Sequence, residues 1–198
     1  MNNESIGKTA ELQRAGLFSA PVEASGEYKG FLSNLYTQAR SGKPLPLLVS
    51  GLCEGARTAF YLALACELRE KFGRGFLAVV PEEKDALRIS NVFADCGMRA
   101  LIYPMRDFVY RSIVSSHEYE HDRIAVLDAV VRDDYDIILA TPDAAVQYTM
   151  PRSALAASAA VISLNGENSA WSIEKLTDYL VGAGYVRTDM VDGVGGFS

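Results

Sequence analysis

The chain of 198 residues is poor in the side chains that build metal centres and disulfide frameworks. It has three cysteines, Cys53, Cys66 and Cys96, and no two of them share a C-x-x-C spacing. An odd, sparse set of this kind excludes a disulfide scaffold and a cysteine zinc site, and fits free thiols in a reducing compartment. Only two histidines occur, His117 and His121. Positive charge is also short: 19 Lys and Arg against 25 Asp and Glu leave a net charge of -6, and the pI is near 5.0. Such a balance gives no broad basic surface for nucleic acid. No apolar run reaches the length of a membrane span, and the N-terminal stretch MNNESIGKTAELQRAGLFSA lacks the apolar core of a signal peptide. A cytoplasmic location is the expectation.

What the chain does have is enough apolar content, 49%, to build one substantial core and part of a second. Residues 1–45 read as an amphipathic, mostly helical leader, broken by Pro21 and Gly26, with a proline-bearing linker, SGKPLP. A repeating unit follows. LPLLVSG reads as a strand buried on both faces, and ARTAFYLALACELREKFG as a helix with Phe60, Leu64 and Leu68 on one side and Gly73 and Gly75 at its stop. GFLAVVP, MRALIYP and YDIILATP are three further buried strands. EEKDALRISNVFADCG and HEYEHDRIAVLDAVVRD are the helices between them. This alternation predicts an α/β fold: a parallel sheet with flanking helices over 46–155. From 156 to 198 the pattern predicts the start of a smaller α+β domain. It comprises a strand and polar turn in AASAAVISLNGENS, a helix capped by Ser169 or Ser172, and a strand with a glycine-rich turn in YVRTDMVDGVGGFS. A helix and one or two strands make a poor domain alone, so this second domain reads as truncated or completed by a partner.

The junction between first strand and first helix approaches a phosphate-binding loop, G-x-x-x-x-G-K-[ST]. The aligned residues run from Gly51 to Thr58. Gly51 and Thr58 match. Ala56 stands at the second glycine, beside Gly55, and Arg57 stands at the lysine. Glycine lets backbone N–H groups turn toward phosphate oxygens, and lysine sets a compact charge on the terminal phosphates. A Cβ at Ala56 obstructs the first, and the planar guanidinium of Arg57 does not replace the second. Glu54 adds a negative charge inside the loop. No acidic residue ends the strand YDIILATP, where a magnesium-binding one is expected. Two readings follow: a degenerate loop that binds no cofactor and serves no catalysis, or an active nucleotide hydrolase using Gly51–Thr58. A third comes from HEYEH, which has the H-E-x-x-H spacing of zinc proteases through His117, Glu118 and His121. The chain offers no third histidine to complete such a site, and helix residues are the simpler assignment.

The collinear series PLLVSGLCEGARTAFYLALA, FLAVVPEEKDALRISNVF, LIYPMRDFVYRSIVSSHEYEHDRIAVLDAV, YDIILATPDAAVQYTMP and LTDYLVGAGYVRTDMVDGVGGFS resembles the N-terminal region of bacterial transcription-repair coupling factors. That region is itself similar to the excision-repair protein UvrB. The resemblance runs from about residue 25 to the end. It implies a RecA/helicase-like fold with a degenerate P-loop, in agreement with Ala56 and Arg57. It also implies that the damage-probing hairpin of UvrB does not fit in the short connection between Arg106 and His117. The family protein is an ATP-driven DNA translocase that displaces stalled RNA polymerase and recruits UvrA. Its ATP and magnesium sites and its polymerase grip lie in domains outside this sequence. The UvrA-binding surface belongs to the second domain, and the resemblance implies that most of its contacts come after the glycine-phenylalanine turn, so the surface reads as incomplete here; Tyr185, Arg187 and Asp189 lie in the matching segment without an assigned contact.

Overall fold

The computed structural model describes residues 14–42, 45–105, 118–158, 171–191 and 195–198. The chain forms two compact units: residues 1–102 with 133–142, and residues 103–132 with 143–198. In the first unit, a helix over 14–23 (α1) leads into α2 (Gly26–Ser41) and α3 (Glu54–Phe72), then β1 (Phe76–Val79), α4 (Glu83–Asp95) and β2 (Ala100–Tyr103). α5 (Glu118–Arg132) precedes β3 (Ile137–Ala140). After β3 come α6 (Pro142–Val146), α7 (Arg152–Ser158), α8 (Ile173–Gly182), β4 (Val186–Arg187) and β5 (Gly196–Phe197). The strands make a three-stranded parallel sheet in the order β1-β3-β2, flanked by helices, and a separate two-stranded parallel pair, β4-β5.

β1 and β3 pair in register from Phe76↔Ile137 to Val79↔Ala140. Side chains of a strand alternate between faces. Phe76, Ala78, Ile137 and Leu139 therefore share one face. They meet Leu62 and Ala65 of α3 and Ala86, Ile89 and Phe93 of α4 in one apolar core. Helical spacing aims these residues inward: Ile89 and Phe93 lie one turn apart on α4, and on α3 Leu62 and Ala65 face the sheet, whereas Phe60 and Leu64 of the expected stripe turn to a separate cluster. A second cluster stands on Tyr28, Phe60 and Ala63, with the Tyr28 and Phe31 rings edge-on to Phe60 at 5.7 and 5.2 Å.

Several expectations need correction. LPLLVSG is not a strand: no strand forms over 45–53, and Leu48 is 92% exposed. An apolar run supplies β potential, but a strand exists only through a ladder partner. This run also begins beside Pro46, which has no N–H to offer one. β1 is not buried on both faces, since Leu77 and Val79 stand half exposed on the side opposite α3 and α4. Pro21 does not break the leader. The helix continues past it, with Ala24 N donating to Ala20 O at 2.9 Å. The break falls at Ser25, whose hydroxyl accepts from Tyr28 N at 3.1 Å and caps α2. Of the stretch AASAAVISLNGENS, expected as strand and polar turn, residues 156–158 are the last turn of α7 and the rest lies outside the described residues. Ser172 caps α8 by accepting from Lys175 N at 3.2 Å.

Between α2 and α3 the Tyr36 hydroxyl donates to the Glu67 carboxylate. Burial, aided by this bond to Glu67, pushes the Tyr36 phenol from its ordinary 10 up to about 12. Burial also raises Tyr28, with Glu67 and Glu23 adding to it. Both groups disfavour the phenolate in the folded state, so the native chain holds more protons than the unfolded one above pH 10. The sign is then fixed: stability is fully present below pH 10 and falls as pH rises from 10 to about 12. Urea unfolding at pH 9 and pH 11.5, run on the wild type and Tyr36→Phe, checks this. The variant is expected to lose less stability over that interval; an equal loss in both would refute the assignment to Tyr36.

Candidate functional site

The stretch aligned with a phosphate loop sits in the first unit at the N-terminus of α3. Gly51 adopts φ 81, a left-handed conformation that suits glycine. Cys53 is the N-cap, extended at φ -69 and ψ 167, and its side chain caps nothing. The helix then begins at Glu54, earlier than the expected start at Ala56. Arg57 N already donates to Cys53 O at 2.9 Å. Glu54, Gly55 and Ala56, which a phosphate loop keeps outside its helix, are wound into the first turn. This winding has a local cause. An acidic side chain at the first helical position favours the positive end of the helix dipole, and Ala56 is a strong helix former.

The Glu54 carboxylate is held from outside its own element. Arg88 of α4 reaches it at 2.5 Å from Nη1, and its Nη2 lies 3.3 Å from Asp85. A carboxylate of the chain itself, paired with a guanidinium, thus stands at the first position of α3. Arg57 points to solvent and Thr58 is buried. The residue that follows β3 is Thr141, and the nearest acid along the chain is Asp143, in the first turn of α6. No local pattern points to Arg88 as a partner of Glu54, 34 positions away; a signal exists only for its i,i+3 pairing with Asp85 on the same helix.

In the second unit the His121 ring lies 6.3 Å from the Tyr185 ring, tilted by 59°. A Cβ on Gly195 would meet His121 Nε2 at 3.4 Å, so this histidine is packed against the β4–β5 region. His117 lies outside the described residues. Among the described residues no group of three or more His, Cys, Asp or Glu side chains gathers around a common point. Arg187 and Asp189 are exposed, Arg187 within β4. The same unit contains a buried cation that sequence reading passed over. Arg123 of α5 donates from Nη1 to Pro104 O at 2.7 Å and to Gln147 Oε1 at 3.0 Å, and its Cζ lies 4.1 Å from the Tyr103 ring centroid.

Fold and loop together define a class: an α/β parallel-sheet unit in which the segment leading into α3 has the first glycine of a phosphate loop but not its lysine, joined to a smaller unit with its own two-stranded sheet. The chain is a distant homologue of the transcription-repair-coupling factor of Bacillus subtilis (strain 168). The two are 25% identical over 178 residues, which is 89% of this chain and 14% of that protein. The chain therefore spans a small part of its relative's length. No family model and no solved structure matches it. Among the described residues no helix is long and apolar enough to cross a membrane.

Proposed function

We propose that this chain is a non-catalytic interaction module of a transcription-repair coupling factor. The observation that carries the reading is the homology along nearly the whole chain, 89%, to one such factor. The α3 N-terminus supports its non-catalytic half. The Glu54 carboxylate, at the first position of α3, sets a negative charge where a bound phosphate would meet the helix N-terminus. In this reading the first unit is a helicase-like domain with a degenerate P-loop, the remnant being Gly51, Gly55, Arg57 and Thr58. ATP and magnesium bind in the motor domains of the parent protein, and DNA and RNA polymerase are held by domains outside this sequence. The second unit faces UvrA, through a surface that includes the exposed Arg187 and Asp189. Repair of transcribed DNA places the protein in the cytoplasm.

The test is equilibrium binding of a fluorescent ATP analogue with magnesium. No saturable binding at millimolar nucleotide is expected. Saturable binding that weakens on Arg57→Ala would overturn the reading in favour of a nucleotide hydrolase. A second test addresses the partner. UvrA passed over the immobilised parent protein is expected to bind, and Arg187→Glu with Asp189→Lys to weaken binding at least tenfold while nucleotide turnover by the parent stays unchanged. Equal binding by that variant would remove this surface from the proposal.

A further inference from the structure

We draw no further inference here: the strongest candidate, the apolar groove of about 750 Å³ in the first unit between α1, α2 and the unpaired segment 47–52, carries nothing because nothing in the structure shows what covers it.

Discussion

Gly75→Ala is expected to destabilise the first unit by about 3 kcal/mol, an overpacking cost near the top of the usual range. The glycine is required for space and not for its backbone angle. A Cβ there would lie 2.6 Å from Asp136 O, 2.7 Å from Tyr135 O and 2.8 Å from Tyr135 Cδ2. Two of these atoms are backbone, and neither is free to withdraw. Asp136 O accepts from Phe76 N at 3.3 Å, at the start of the β1–β3 ladder. Tyr135 O accepts from Arg69 Nη2. Arg69 Nε also holds Asp136 Oδ1 at 2.9 Å, while Arg99 N donates to Asp136 Oδ2 at 2.7 Å. The methyl group must therefore displace a segment pinned by four bonds, or push β1 out of register. Thermal unfolding should shift down by about 6–12 °C for a chain of this length. Hydrogen exchange of the β1 and β3 amides should accelerate together. Gly55→Ala provides the control. It sits in α3 with open space where its Cβ would go, and should leave stability unchanged or raise it by up to about 1 kcal/mol. Equal behaviour of the two variants would dispose of the close-approach argument.

That contrast also marks where sequence reading succeeds and where it stops. By pattern, Gly73 and Gly75 are both candidates for the stop of α3. Gly73 does end it, at φ 64 with its N–H on Arg69 O at 3.0 Å. Gly75 instead serves a contact with residues sixty positions away, which no local pattern carries. The same division holds along the chain. α3, α4, α5 and α8 are legible in the apolar and polar pattern of their own segments, and the three sheet strands in short apolar runs bounded by turns. The Ser172 cap is legible for the same reason: it is a bond between residues three apart. LPLLVSG failed because pairing is a property of two segments, and its apolar content describes only one. At the loop, the substitutions at Ala56 and Arg57 could be read directly. The winding of Glu54 into α3 and its capture by Arg88 could not, since that ion pair joins two helices.

Arg123→Ala is expected to have a comparable effect in the second unit, about 3 kcal/mol, because one buried side chain serves three partners. Arg123 is only 7% exposed. Its guanidinium satisfies the Pro104 carbonyl and the Gln147 side-chain oxygen, and it stacks over Tyr103, whose hydroxyl lies 3.1 Å from Thr149 Oγ1. α5 is thereby tied both to residue 104 and to residue 147, in two stretches that the Tyr103–Thr149 bond also joins directly. Truncation to alanine takes that donor from a half-buried carbonyl and a half-buried amide oxygen, removes the cation from the ring face, and opens a void. Arg123→Lys retains the charge and most of the stem but lacks the planar fork that reaches two acceptors while lying flat on the ring, so it should recover less than half of the loss. Trp171, the sole tryptophan of the chain, lies 5.5 Å from the Tyr179 ring in the same unit, and its fluorescence reports unfolding there. The urea midpoint by this signal should fall by about 1–2 M in the alanine variant. A midpoint within experimental error of wild type, or full rescue by lysine, would show that Arg123 merely fills space or supplies a charge. A graded series, with wild type above lysine and lysine above alanine, would identify its geometry as the stabilising feature.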